Sequence, residues 1–214
     1  AVFRYLSLMP ISVYMSNRLK IHLFGLLLVL SLLLPAAAFA DHVSLFVLHS
    51  YSQEYPWTKR QHDAFVEQLG TGLHADPVIE TEYLDTKRVA YTPGYAAGFA
   101  EYLRFKYAGF SPQAIYVSDD NALDFALLHL DFLFPGVPVF FSGVNDLAAL
   151  ERIEGRAVTG VFENKDIAPN LALLAEMGRH TGEIVVVGDA SSTYRAIEQQ
   201  IKAELVDYSG IKAR

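Results

Sequence analysis

From Val43 onward the chain alternates short apolar runs with amphipathic stretches. The runs are Val43–His49 (VSLFVLH), Val78–Leu84, Ala114–Ser118, Val137–Ser142, Val158–Phe162 and Ile184–Gly188. Short runs rich in β-branched and aromatic residues, apolar on both faces, predict strands buried between helix layers. The second run is more polar and alternates, as expected of a strand nearer a sheet edge. Between the runs the apolar spacing turns helical. Leu123, Leu127, Leu130 and Phe134 make one stripe, Ile167, Leu171, Leu174 and Met177 a second, and Tyr194, Ile197, Ile201 and Leu205 a third. Asp119 or Asp120 precedes the first of these helices, and Ser191 or Ser192 the last, as N-cap candidates. Strand–helix alternation with short links implies parallel strands and right-handed crossovers. The expected fold class is therefore α/β with a doubly wound parallel sheet.

The first forty residues read differently. Their only charges are Arg4, Arg18 and Lys20, and Leu23–Leu34 is almost unbroken Leu, Val and Phe before Pro35 and the small residues Ala38 and Ala40. A basic start, an apolar core of about 7–15 residues and a small-x-small end form the layout of a secretory signal peptide. Met15 opens this leader, and residues before it read as upstream translation. The alternative is a retained anchor, although the core falls short of the ~20 residues that span a bilayer. Cleavage would leave the domain periplasmic or secreted; retention would leave it membrane-anchored outside the cytoplasm.

The whole chain carries a net charge of −7 over 214 residues. Without the leader's three basic residues the remainder carries −10. That acidity argues against a nucleic-acid partner, whose phosphates select basic surfaces. There is no cysteine, so thiol nucleophiles, Cys metal sites and disulfides are excluded. His42, His49, His62, His74, His129 and His180 are scattered without ligand spacing, so neither a metal nor another cofactor is expected. The segment Asn145–Arg156 is short and charged, and fits either a tight helical link within one sheet or the crossing into a second lobe. The expected organisation is a leader over 1–40, a first α/β lobe over 41–148, a crossover over 149–163 and the start of a second, truncated lobe over 164–214. Such a half lobe would expose the apolar faces of Ile184–Gly188 and Tyr194–Leu205.

In open α/β sheets ligands bind beyond the C-terminal strand ends. That rule selects the loops His49–Trp57, Ser118–Asn121, Ser142–Asp146 and Gly188–Ser192, all rich in hydroxyls, amides or carboxylates. Such loops can hold a small polar ligand by hydrogen bonds, with Tyr51, Tyr55 and Trp57 adding flat apolar area. Each also has a structural explanation: capping for Asp119 and Asp120, packing for Trp57, a turn for Gly143. No G-x-S-x-G elbow surrounds Ser118 or Ser142, and no dinucleotide or P-loop fingerprint occurs. An enzyme is not expected. The alternative is a secreted α/β hydrolase with an unrecognised site near Ser142 or Asp119.

Val47-Leu48-His49-Ser50-Tyr51, with Tyr55-Pro56-Trp57-Thr58 behind it, resembles the opening of ABC-transporter-type substrate-binding domains. It is nearest the version used as the extracytoplasmic sensor of bacterial signalling proteins. Val137–Asp146 resembles that family's strand entering the cleft, and Val158–Glu163 its crossover into the second lobe. The resemblance implies a type I periplasmic-binding fold, here a first lobe plus an incomplete second lobe, closing on a small ligand like a hinged clamp. It implies a small organic solute as ligand, an amino acid or related compound among the candidates. The partner would be a membrane permease or a fused signalling module such as a histidine kinase or diguanylate cyclase. The expected ligand contacts are Ser50, Tyr51 and Trp57, then Asp119, Asp120 and Asn121, then Gly143 and Asn145, with Asp189 from the second lobe.

Overall fold

The computed structural model describes residues 43–73, 76–177, 182–206 and 212–213. The leader expected over 1–40 lies outside the described residues. Strands β1 (Ser44–His49), β2 (Val78–Tyr83), β3 (Ala114–Ser118), β4 (Val139–Val144) and β5 (Val158–Phe162) form one sheet in the order β2-β1-β3-β4-β5. Every pairing in it is parallel. A second, two-stranded parallel sheet joins β6 (Glu183–Ile184) to β7 (Lys212–Ala213). The helices are α1 (Pro56–Gly72), α2 (Pro93–Lys106), α3 (Asp119–Phe125), α4 (Asp131–Leu133), α5 (Ala149–Ile153), α6 (Ile167–Glu176) and α7 (Ser192–Leu205). A π-helical turn, Ala126–Leu130, joins α3 to α4. The architecture is thus α/β with an all-parallel five-stranded sheet flanked by helices, as the hydrophobic pattern predicts. The polar second run is indeed an edge strand.

One face of the sheet carries the core. Phe46 aligns with Ile115, and Leu48 with Val117; these continue to Val139 and Phe141 on β4. All six are buried. Leu103 of α2, Leu123 and Phe125 of α3, and Leu127, Leu130 and Phe134 beyond it close over them. The predicted stripe of Leu123, Leu127, Leu130 and Phe134 is this covering surface. Tyr107 adds an edge-on contact to Phe46, with ring centroids 5.2 Å apart. Its hydroxyl also donates to Glu82 of β2 at 2.7 Å, and Lys106 pairs with the same carboxylate at 2.6 Å, so this nearly buried acid is not left unpaired.

The opposite face is apolar only in part: beside the buried Leu45 and Val47 it presents His49, Tyr116, Ser118 and Ser142, with helix α1 packed against it. Phe65 of α1 stacks on Tyr116 with centroids 4.2 Å apart. The fourth run also shifts along the chain: pairing begins at Val139, and Pro138, which has no N–H to give a ladder, stands outside the strand. At the other edge, a Cβ on Gly160 would lie 2.1 Å from the Phe141 carbonyl oxygen, so β5 approaches β4 more closely than any side chain permits.

The segment 149–163 supplies α5 and β5, both built onto the first sheet. The apolar run Ile184–Gly188 forms a strand only at Ile184, with Val187 90% exposed. A run's composition cannot make a strand without a neighbour to pair with. The predicted stripe on α6 is likewise buried only at Leu171; Met177 is exposed.

Burial separates two aromatic positions cleanly. Phe46→Ala should lower unfolding stability by ~3–5 kcal/mol, whereas Phe132→Ala, at a side chain 80% exposed, should stay within ~0.5 kcal/mol. Urea denaturation of the two variants checks both.

Candidate functional site

The winding of the sheet reverses between β1 and β3: β2 lies on one side of β1, while β3, β4 and β5 follow on the other. Loops leaving β1 and β3 therefore diverge, and the crevice they open is where this class of sheet binds ligands. A cavity of about 390 Å³ occupies that edge. Tyr51, Tyr55 and Trp57 line it after β1, and Arg60 follows one turn into α1. Lys87 comes from the loop after β2, Asp119 from the end of β3 and Asn145 from the end of β4. Glu163 and Lys165 enter after β5, and Thr193 from the start of α7.

The cations in this lining are not equivalent. Lys87 pairs with Asp189 at 2.7 Å, and its ammonium sits 4.9 Å from the centre of the Tyr51 ring. Lys165 pairs with Glu163. Arg60 forms no ion pair among the described residues. The Tyr51 hydroxyl hydrogen-bonds Thr193 Oγ1 at 2.7 Å and its ring meets Tyr55 edge-on. Asn145 Nδ2 donates to the Gly143 carbonyl at 3.0 Å, and its Oδ1, enclosed by protein, has no hydrogen-bond partner among the described residues.

Asp119 is a strongly perturbed group of the cavity. It is 2% exposed, and its backbone φ of 66° lies in the left-handed region that Asp tolerates better than most residues. Burial, followed by the charges of Asp120 and Glu163, pushes its carboxyl up to about 7, against the opposing hydrogen bond from Ser118. That bond, Ser118 Oγ to Asp119 Oδ2 at 3.0 Å, continues inward: His49 Nδ1 lies 2.8 Å from Ser118 Oγ, and His49 Nε2 lies 3.1 Å from His62 Nδ1. His49 is fully buried, and burial with the nearby His62 pushes its imidazole down to about 3.

Of the expected contacts, Tyr51, Trp57, Asp119 and Asn145 line the cavity. Gly143, at φ 71°, lies beneath it; a Cβ there would stand 2.9 Å from Gln61 Nε2 and 3.4 Å from Asp119 Oδ1. The others fall elsewhere. Ser50 is fully buried, its Oγ donating to the Ser118 carbonyl at 2.9 Å and accepting from Ala122 N at 2.8 Å. Asp120 and Asn121 border a neighbouring cavity of about 360 Å³. Asp120 Oδ1 accepts from the backbone N–H groups of Asn145 and Asp146, both at 2.9 Å, and Oδ2 accepts from Thr193. Asn121 bridges Thr86 and Ser192 at 2.9 Å each. Asp189 stands outside the cavity lining, held by Lys87 and by the Ser191 hydroxyl and N–H, which together bring its carboxyl down to about 2. The capping expectation for Asp119 and Asp120 also fails: Ser118 is the N-cap and its side chain serves the histidine instead. Ser191, by contrast, caps α7 by accepting from Tyr194 N at 3.1 Å.

Arg60, Lys87, Glu163, Lys165 and Thr193 are not among the expected contacts. The strand-end rule already contains most of them. Applied to β2 and β5 as well, it selects the loops that carry Lys87, Glu163 and Lys165. Arg60 lies three residues after Trp57, on the same helical face.

No protein-family profile matches the chain, and no curated protein does. Solved structures do. A conserved domain protein from Vibrio cholerae superposes with a TM-score of 0.60 at 14% identity, over 81% of this chain and 56% of that one. An ABC domain from Streptococcus pneumonia in complex with L-Trp gives 0.59 at 13%, over 81% and 56%. The ligand-free, open form of a substrate-binding protein with adhesive properties from Clostridium difficile gives 0.55 at 14%, over 80% and 56%. The fold is that of the type I periplasmic-binding proteins. The chain spans a little over half the length of these solved structures.

The raised Asp119 carboxyl has a direct consequence for stability. Its contribution is fully present below the ordinary aspartate range and is lost as pH rises through about 7, a difference of ~4 kcal/mol for a shift of this size. Asp119→Asn keeps the shape and suits the positive φ. The variant should therefore show a higher urea midpoint than wild type at pH 8, with the gap closing towards pH 5.

Proposed function

We propose that the chain is a small-solute-binding domain working outside the cytoplasm, with the cavity at the strand ends as its ligand site. The observation that carries this reading is the convergence on one cavity of Tyr51, Tyr55 and Trp57 with the guanidinium of Arg60, which has no ion pair among the described residues. Aromatic faces supply apolar area, and a few fixed polar groups orient the ligand. Arg60 suits a carboxylate or another planar anion, to which it can offer two parallel N–H donors. The L-Trp complex of the streptococcal ABC domain makes amino acids the first ligands to test.

In this reading the domain serves a membrane permease as the substrate-binding component of an ABC transporter, or serves a fused histidine kinase or diguanylate cyclase as its sensor. The apolar, small-residue-terminated segment before Asp41 supports export. Binding without turnover is favoured over hydrolysis. Ser142 Oγ is taken up by the Tyr116 hydroxyl at 2.6 Å, and Ser118 is fully buried beneath the cavity, so neither is presented as a nucleophile.

Thermal-shift measurements with the twenty L-amino acids and their decarboxylated amines test the assignment, since a ligand selective for the native state raises Tm by mass action. The amino acids that bind should lose at least tenfold in affinity to Arg60→Met and to Trp57→Ala by isothermal titration, and the amines should bind no better to wild type than to Arg60→Met. Hydrolysis of ester or amide probes that disappears in Ser142→Ala would overturn the reading.

A further inference from the structure

His62, His49, Ser118 and Asp119 form an unbroken line from helix α1 to the cavity, with separations of 3.1, 2.8 and 3.0 Å. The three inner members are at most 2% exposed, while His62 is half-buried. Every link joins a group that can both give and take a hydrogen bond. The line therefore has two complete arrangements. In one, His62 Nδ1–H donates to His49 Nε2, His49 Nδ1–H donates to Ser118, and Ser118 donates to an ionised Asp119. In the other every donor is reversed: Asp119 Oδ2–H donates to Ser118, Ser118 to His49 Nδ1, and His49 Nε2–H to His62 Nδ1.

We propose that Asp119 is a proton-binding site of the cleft, supplied from solvent through His62, His49 and Ser118, so that the cleft offers its occupant a neutral carboxyl there and not a negative charge. One proton balances the exchange. It enters at His62 Nε2; the His62 Nδ1 proton passes to His49 Nε2, the His49 Nδ1 proton to Ser118 Oγ, and the Ser118 hydroxyl proton to Asp119 Oδ2. His62 ends neutral with its proton on Nε2. His49 remains neutral before and after, which suits a ring whose charged form burial strongly disfavours.

The surroundings of Asp119 favour the neutral carboxyl. Asp120 on its own helix and Glu163 beyond β5 repel a charge there. Tyr51 after β1 and Tyr116 on β3 also face it, and their hydroxyls are themselves held un-ionised, chiefly by burial. Trp57 and Gln61 approach from α1. The cleft's lysines are committed elsewhere, Lys87 to Asp189 and Lys165 to Glu163. Around the inner ring, Tyr83 stacks on His49 at 5.3 Å and Tyr116 meets it edge-on, while His62 is flanked on α1 by Asp63 and Lys59. With both lysines paired and Asp119 neutral, Arg60 leaves the lining with a net positive charge. A solute seated over Asp119 would block direct exchange with water, and the histidine line is then the route that stays open.

The proton site belongs to the unliganded chain, so its test is independent of the ligand reading on which its use depends. The full chain, labelled with 15N-histidine and 13C-aspartate, is titrated from pH 5 to 9, with His49→Gln and His62→Gln used to assign resonances. In wild type the protonated nitrogen of His49 should switch from Nε2 to Nδ1 as pH rises, with the same midpoint as the Asp119 carboxyl carbon, near 7. Asp119→Asn should abolish the switch. Ser118→Ala should abolish it at His49 while the Asp119 carbon still titrates, which keeps the test open should the Asn variant not fold. A His49 that holds one tautomer throughout, or a switch that survives either substitution, overturns the proposal.

Discussion

The site loops are held together by one buried hydroxyl residue. Ser50 follows strand β1, and its N–H and Oγ both reach the Ser118 carbonyl at the end of the central strand β3. The same Oγ accepts from Ala122 at the start of α3, and the Ser50 carbonyl accepts from both the N–H and the hydroxyl of Thr86 after β2. Three strand ends and a helix start are thus fixed by Ser50, Ser118 and Ala122, which have no exposure to solvent, and by the part-buried Thr86. Each bond contributes only ~1 kcal/mol net, but leaving any of these buried groups unpaired would cost more. The positions of Tyr51, Lys87 and Asp119 follow from this knot, because each is at most a residue from one of its members.

Farther from the sheet, Asp120 and Asn121 tie loops together in the same way. Asp120 gathers the N–H groups of Asn145 and Asp146 and the hydroxyl of Thr193; Asn121 joins Thr86 to Ser192. Polar residues at strand ends thus divide into those that build the crevice and those that face it. Burial and partner count make the division: a residue whose donors and acceptors are all used is scaffold, whereas the exposed Arg60 retains capacity.

That division is not legible in the sequence, and the reason is physical. The strands are, because an apolar run needs only its own composition to declare itself, and β1 to β5 lie within a few residues of their expected places. The cleft-side edge follows from strand order. The role of Ser50 is illegible because it depends on which carbonyl β3 delivers beside it. The loops carrying Lys87, Glu163 and Lys165 are legible from the strand-end rule, but nothing local distinguishes a charge bordering a cavity from one facing bulk water. Ile184–Gly188 fails in the opposite way: its composition is that of a strand, but among the described residues Val185 and Val187 pair with no neighbouring strand, and both are exposed. Asp119 has the sequence context of a helix cap, but its positive φ turns its carboxyl toward the cavity and leaves the N-cap to Ser118.

The links between the first sheet's loops and the start of α7 are polar: Tyr51 and Asp120 to Thr193, Asn121 to Ser192, Lys87 to Asp189. Polar contacts of this kind can be exchanged for contacts with water at nearly equal free energy. An apolar seam would instead cost ~25 cal/mol for every Å² uncovered. The crevice is therefore latched and not glued. On the proposed reading, a bound solute would need to supply little interaction energy of its own to decide whether that latch is shut.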